Sequence, residues 1–178
     1  RTIFTQILPT FMTTDAQRGV IHDKTTAMIK KAAGDNKDAF DYLAIIFFTT
    51  RVIDDVVDND REIKHEIYFN CMQELFVNLH LNKFFRENYD MLVSQHITIW
   101  NTWLAANKYE KEGELIDQLH SRTWRLYIDE LLPLVAYLTQ GFDKMKELDQ
   151  DIRLFTALYH RMDPPDFNLE EVKNVWRN

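Results

Sequence analysis

Turn-forming residues are scarce in this sequence of 178 residues, which contains only four glycines and four prolines. All-β architectures need many turns, and turns depend on these residues, so their scarcity favours helices. Hydrophobic residues make up 46% of the chain and aromatic residues 13%, which is enough for a core and argues against disorder of the whole chain. We predict one all-α domain over residues 1–178, a bundle of about six to seven helices.

Cysteine and basic residues are also in short supply. The single cysteine, Cys71, has no partner for an intrachain disulfide and excludes a cysteine-rich zinc site. With 21 Lys and Arg against 28 Asp and Glu, the formal net charge of -7 disfavours nonspecific binding to nucleic acid. A lone cysteine is compatible with a reducing interior, and we expect a cytoplasmic protein.

Long hydrophobic runs are missing as well. The most apolar stretch, residues 43–48, ends at Thr49 and is much shorter than the roughly 20 residues that span a bilayer, so we expect no membrane span. The chain begins with Arg1 rather than Met, which is compatible with a fragment or a processed product.

Capping residues and helix breakers divide the chain into segments with helical periodicity. The predicted helices cover residues 13–33, 38–58, 63–79, 89–111, 115–138 and 141–163, followed by a short helix that starts at Asn168. We expect Pro133 to kink or break the fifth of them. The third carries a stripe with i+4 spacing that predicts a core face: Ile63, Ile67, Cys71, Leu75 and Leu79.

The end of the second predicted helix carries an unusual group of acids. At about 100° per residue, one helix face holds Phe47, Arg51, Asp54, Asp55 and Asp58. The other directions are apolar, so we expect this helix inside the bundle and its carboxylates in an internal cleft. These acids oppose the helix dipole, and a pair roughly 5–6 Å apart repels by about 3 kcal/mol at an effective dielectric of about 20.

Two kinds of partner would offset this repulsion. A hard divalent cation is one, and Mg²⁺ takes one or two carboxylates while it holds substrate phosphates. The other is neutralisation by Arg51, Arg61 and Lys64, or simple solvation of the helix end.

The stretch from Phe47 to Asp58, with its aromatic lead, Arg51 before the acids and the string Ile-Asp-Asp-Val-Val-Asp, resembles the first aspartate-rich motif of class I isoprenoid (terpenoid) synthases. It is most similar to the phytoene and squalene synthase branch. The resemblance implies a minimal all-helical fold of this kind in which Asp54, Asp55 and Asp58 hold Mg²⁺ and act in catalysis.

The same resemblance implies a substrate and a substrate-binding set. The substrate would be a prenyl diphosphate, with Arg51 near its phosphates and Phe47 and Asn101 as further binding residues. Asn101 opens a stretch that has the spacing, but only in part the residues, of the second metal motif of terpene cyclases. An active protein would be a Mg²⁺-dependent prenyl transferase or terpene synthase that ionises its substrate to an allylic carbocation.

A different class of function stays open. No convincing second metal motif is identifiable, although Glu147 and Asp151 lie one turn apart. This gap and the short chain favour a noncatalytic helical module that binds a protein partner or forms a homo-oligomer.

Two phosphohydrolase classes form a further alternative. His22-Asp23, with Asp38 or Asp54 as a later ligand, resembles the metal-binding dipeptide of HD-domain phosphohydrolases. All-α nucleotide pyrophosphatases also bind Mg²⁺ through helical acids.

Several other side chains have both a structural and a functional interpretation. Asp117 and His120 are spaced as an acid–base pair, but we prefer a hydrogen-bonded structural histidine. Trp100 and Trp103, with His96, are interpreted as core rather than as an aromatic wall around a prenyl group. Arg122 and Arg125 are consistent with phosphate contacts and equally with surface ion pairs.

Overall fold

The computed structural model describes residues 16–58 and 62–159. Within these ranges the chain forms seven helical runs and no strand, which confirms the predicted all-α bundle. The runs are α1 (Ala16–Ala33), α2 (Lys37–Asp58), α3 (His65–Gln73, continued by a π-helical turn at Glu74–Asn78 and by Leu79–Leu81), α4 (Lys83–Glu87), α5 (Tyr89–Glu112), α6 (Leu115–Arg125, continued by a 3₁₀ stretch at Leu126–Glu130 and by Leu131–Gln140) and α7 (Phe142–Tyr159). The predicted short helix at Asn168 lies outside the described residues.

Glycines separate the helices where the sequence predicts. Gly34 follows α1 with φ 57°, and Gly141 follows α6 with φ 87°, both in the left-handed half of conformational space that favours glycine. Gly113 and Glu114 join α5 to α6. Glu114 caps α6 because its side chain accepts from the third backbone N–H, while Asp117 accepts from the N–H of Glu114 at 3.2 Å.

The core is one hydrophobic cluster to which all seven helices contribute. Its largest fully buried side chains include Tyr42, Leu43, Leu92, Leu131 and Ile152. Polar contacts fix the end of α6 against the end of α1, where the Gln140 side chain donates to the carbonyls of Lys31 and Ala32. Both carbonyls lie in the last turn of α1 and lack partners within their own helix, so this contact satisfies them.

Helix α6 changes geometry just before its proline. Pro133 is buried near the start of Leu131–Gln140, directly after the 3₁₀ stretch. In a regular α-helix its ring would clash with the carbonyl of residue 129, and the tighter 3₁₀ winding accommodates it. The predicted interruption at Pro133 is therefore confirmed.

The predicted core stripe of the third helix is buried at Cys71 and Leu79 and half-buried at its other three positions, of which Ile63 precedes the first residue of α3. Burial raises the pKa of the Cys71 thiol to about 11, and the nearby Glu74 adds to this, so the thiol is a small apolar core group. The sequence did not predict the π-helical turn, which begins at Glu74 and brings this carboxyl group into the interior.

Helix α2 runs through the core, but one side of its last turn is exposed. Residues from Ala39 to Val52 supply most of its buried side chains, whereas Val56 and Val57 are about half exposed. Asp55 in this turn is buried, so the expectation that the acidic end lies inside the bundle is wrong only for the side that carries Val56 and Val57. No helix of the described ranges is long and apolar enough to cross a bilayer.

Candidate functional site

The three aspartates at the end of α2 differ in their exposure. The side chain of Asp55 is 1% exposed, that of Asp54 25% and that of Asp58 36%. Asp55 therefore belongs to the interior, whereas Asp54 and Asp58, one helical turn apart, lie at the rim. Only the rim pair is accessible to a ligand that approaches from solvent.

Arg51 pairs with both of the first two acids from its own helix. Its Nη1 lies 3.1 Å from Oδ2 of Asp54, and its Nη2 lies 3.2 Å from Oδ1 of Asp55. The predicted neighbourhood of Arg51 and these acids is thus present. The arginine bridges a buried and a rim carboxylate, which is the neutralising arrangement that the sequence left open. Arg61, the second arginine considered for this role, lies outside the described residues.

Arg125 approaches the two rim acids, Asp54 and Asp58, from α6. Its Nη1 lies 3.8 Å from Oδ1 of Asp54 and 4.0 Å from Oδ2 of Asp58, and its Nη2 forms a close ion pair with Glu110 of α5. One guanidinium therefore joins α2, α5 and α6. The positive charge of Arg125 lies between the two rim carboxylates.

The electrostatics of Asp54 reflect this mixed environment. Burial raises the pKa of Asp54, and the neighbouring charge of Asp58 adds to the increase. Arg51, Arg125 and a side-chain hydrogen bond with Trp103 act in the opposite direction. The net increase means that this carboxylate is less well stabilised than in water, so an additional cation would stabilise it further.

Helix α5 supplies the opposite wall of the site. Trp103, Asn107 and Glu110 follow one another at i+4 and i+3 spacing and share a face that reaches Asp54 and Arg125. Trp100 stacks on Trp103 with ring centroids 5.3 Å apart, and Trp100 is half exposed. The preferred interpretation of Trp100 as a core residue is therefore wrong.

The other two predicted binding residues do not join this group. Phe47 is half-buried and packs against the hydrophobic core, two turns before Asp54 on α2. Asn101 is exposed on α5, and the helical period places it on a different side from Trp103 and Glu110. The structure thus brings together Arg51 and the acids, but it does not bring Asn101 to them.

The remaining candidates are engaged elsewhere. Asp117 caps α6, and His120 is exposed beside Trp124, at 6.1 Å between ring centroids, so the two do not act as an acid–base pair. Glu147 pairs with Lys144 at 2.6 Å, and Asp151 pairs with Lys31 at 2.8 Å, both on the surface. The side chains of His22 and Arg122 lie outside what the structure describes.

The donors available to Mg²⁺ at this site are the two rim carboxylates. In residues 16–58 and 62–159 no group of three or more His, Cys, Asp or Glu side chains is arranged to enclose a metal ion. Asp54 and Asp58 nevertheless flank a position where a guanidinium nitrogen already lies at 3.8 and 4.0 Å. The guanidinium of Arg125 occupies this position, so Asp54 and Asp58 would hold a hydrated Mg²⁺ ion only if that side chain moved away.

The sequence pattern did not indicate Glu110 as a site residue. It indicated Arg125 only together with Arg122, as an arginine for either a phosphate contact or a surface ion pair. The available signal was the helical hairpin around Gly113, which brings the end of α5 and the body of α6 together.

Comparison of the chain with protein-family models, with curated proteins and with solved structures gives no match.

Proposed function

We propose that this chain binds a prenyl diphosphate together with Mg²⁺ at the rim of α2, as an isoprenoid-synthase-like protein. The observation that supports the proposal is the pair Asp54 and Asp58, which flank a cationic nitrogen of Arg125. Such a pair of carboxylates one turn apart is suited to a hydrated Mg²⁺ ion. Arginines beside it are suited to the phosphate oxygens of the same ligand.

The ligand would bind by an exchange of ionic partners. Asp54 and Asp58 now face Arg51 and Arg125, and they would turn to the metal when it arrives with its diphosphate. The two guanidinium groups would then donate to phosphate oxygens. Because each charge gains a new opposite charge in place of the old one, no carboxylate or arginine is left uncompensated.

The residues have separate tasks in an ionisation reaction. Mg²⁺, when bound, supplies positive charge that stabilises the departing diphosphate. Arg51 and Arg125 donate hydrogen bonds to the same oxygens as their charge grows. The stacked pair Trp100 and Trp103 lies beside Asp54 and offers aromatic faces to a carbocation or a prenyl chain.

Calorimetry with Mg²⁺ and a prenyl diphosphate tests the proposal. We expect heat of binding that requires both components and that is lost in Asp54→Asn and in Asp58→Asn. Asp143→Asn, on an exposed position in the first turn of α7, is the matched control and should bind like the wild type. Absence of Mg²⁺-dependent heat with the wild type would refute the proposal.

A second candidate function is self-association of a noncatalytic module. It is favoured by three side chains of α3 that are between 66% and 72% exposed, Phe69, Phe76 and Leu81. Apolar side chains of this size on one helix are typical of surfaces that another protein covers. We expect Phe76→Ser to convert a dimer to a monomer in sedimentation analysis, whereas Phe142→Ser on α7 should not. A monomeric wild type at high concentration would exclude this candidate.

A further inference from the structure

One side of α5 carries large apolar side chains that the described part of the chain leaves uncovered. Ile97 is 57% exposed, Trp100 50% and Leu104 47%. At about 100° per residue these three side chains lie within about 60° of one another around the helix. Their spacing of three and then four residues is the one by which a helix packs against a second helix.

Charged residues continue this stripe at both of its ends. Asp90 lies seven residues before Ile97, Leu104 lies seven residues after it, and Lys111 follows after another seven. Seven residues are nearly two helical turns, so the four side chains follow one side of α5. Asp90 is exposed in the first turn of the helix and Lys111 is exposed in the last. The stripe is therefore acidic at one end, apolar in the middle and basic at the other end.

This order of charges is complementary to itself when two copies of α5 pack in opposite directions. A two-fold axis through the midpoint of the stripe places Asp90 against Lys111 of the partner subunit, because both are equally far from that point. The same axis places Ile97 against the partner's Leu104. In a parallel pair each charge would face the same charge of the second copy, and such contacts are repulsive.

We propose that this side of α5 is the interface of an antiparallel homodimer, in which Ile97, Trp100 and Leu104 pack against the same stripe of a second copy. The interface lies on a different helix from the exposed apolar side chains of α3, and it does not depend on the ligand proposed above.

The axis passes beside Trp100, so the two copies of this side chain meet at the centre of the interface. Aromatic side chains at the centre contribute most to the stability of many interfaces. Trp100 also stacks on Trp103, which bonds to Asp54. The dimer would cover the exposed side of Trp100 and leave Trp103 as the aromatic side chain beside Asp54.

Sedimentation equilibrium of the protein at several concentrations tests the interface. We expect a dimer in the wild type and at least about tenfold weaker association in Leu104→Lys, because the lysine places a charge in an apolar contact. Leu154→Lys is the matched control, since Leu154 is 57% exposed on α7, and it should associate like the wild type. Circular dichroism establishes that both variants are folded. A monomeric wild type, or unchanged association in Leu104→Lys, would overturn the proposal.

An exchange of charges tests the direction of the two helices. Asp90→Lys and Lys111→Glu should each weaken association by about three- to tenfold, since each change affects two symmetric ion pairs. The double variant should recover, because the new lysine and the new glutamate face each other across the axis. Both changes oppose the dipole of α5, so an effect on the helix alone would make the double variant the weakest. Absence of recovery would overturn the antiparallel dimer.

Crosslinking with a short bismaleimide locates the axis. Asn101→Cys places a thiol beside the axis and should be joined to its own copy, whereas the two thiols of Ser94→Cys would be about 20 Å apart along the helices and should not be joined. The wild type is the control, because its single cysteine, Cys71, is buried. Crosslinking of Ser94→Cys would indicate a parallel pair. A dimer that is lost in Phe76→Ser and kept in Leu104→Lys would place the interface on α3, and either result overturns the proposal.

Discussion

The phenol oxygen of Tyr42 lies 2.7 Å from Nε2 of His96, and this hydrogen bond joins the second turn of α2 to α5. The two rings are nearly parallel, with an interplanar angle of 12° and centroids 5.9 Å apart, and Phe85 stacks beside both. Burial raises the pKa of Tyr42 and lowers that of His96, so both groups are neutral near pH 7. A neutral polar pair is therefore built into an otherwise apolar part of the core.

The first prediction concerns the hydroxyl of this pair. Tyr42→Phe keeps the ring and its stacking but leaves Nε2 of His96 without this partner, so we expect a loss of about 1–2 kcal/mol in the free energy of unfolding. Urea denaturation measures it. Tyr89→Phe is the control, because Tyr89 is half exposed and should lose little. Equal losses in the two variants would contradict the structural role of the hydrogen bond.

The second prediction is an acid-sensitive stability that originates at His96. Because burial lowers the pKa of His96 below its ordinary value of 6.5, the unfolded chain takes up the proton more readily than the folded one. The free energy of unfolding should therefore fall as the pH drops below about 6.5. His96→Gln should remove part of this slope, whereas His65→Gln, at an exposed position, should keep it. A wild-type slope in His96→Gln would show that other groups cause the effect.

The local features of this fold are predictable from the sequence. Gly34, Gly113 and Gly141 end helices because each acts on its own turn, and Pro133 disturbs the helix because of its own ring. The acidic stripe at the end of α2 is equally local, since it needs only the helical period.

Long-range features of the site are not predictable in this way. The approach of Arg125 to Asp54 depends on how the α5–α6 hairpin packs against α2, and no single-helix pattern contains that information. The same limit explains why Val56 and Val57 were expected to be covered. The π-helical turn at Glu74 likewise has no identifiable signal in the local sequence.

The third prediction distinguishes Asp55 from Asp58 at the end of α2. Asp55 is buried and pairs with Arg51 at 3.2 Å, so Asp55→Ala should cost about 2–4 kcal/mol of stability. Asp58 lies at the rim, and its contact with Arg125 is 4.0 Å long, so Asp58→Ala should change stability by less than about 0.5 kcal/mol. Thermal and urea unfolding of the two variants provide the comparison. Similar costs would mean that the two acids are equivalent, against the assignment of Asp58 to ligand binding.

The fourth prediction concerns the junction between α6 and α7. Gly141 has φ 87° and ψ 177°, a conformation that side chains strongly disfavour, and a Cβ at this position would meet nothing within 4 Å. Gly141→Ala should therefore cost about 1–3 kcal/mol through backbone strain alone. Gly113→Ala should also destabilise, but by collision, because its Cβ would lie 2.5 Å from the carbonyl oxygen of Tyr109. An unchanged midpoint of urea unfolding in Gly141→Ala would contradict the strain argument.

The last prediction concerns Glu74, at the start of the π-helical turn. Glu74 is buried, and its Oε2 has no hydrogen-bond partner among the residues that the structure describes. Burial raises the pKa of Glu74 above its ordinary value of 4.5, and Asp41 adds to this, while a side-chain hydrogen bond with Asn78 opposes it. The folded chain therefore holds this proton more tightly than the unfolded chain, and stability should fall as the pH rises above about 4.5.

Glu74→Gln keeps the shape of the side chain and the acceptor for Asn78 but carries no charge. At pH 7 it should stabilise the protein by about 0.5–1.5 kcal/mol, and below pH 4, where Glu74 is protonated, it should have no effect. Glu66→Gln, at an exposed position in the first turn of the same helix, is the matched control and should not stabilise the protein at either pH value. A loss of stability at pH 7 in Glu74→Gln would mean that the charged carboxylate has a stabilising partner. The charge of the buried glutamate would then stabilise the turn, whereas we expect it to destabilise the turn.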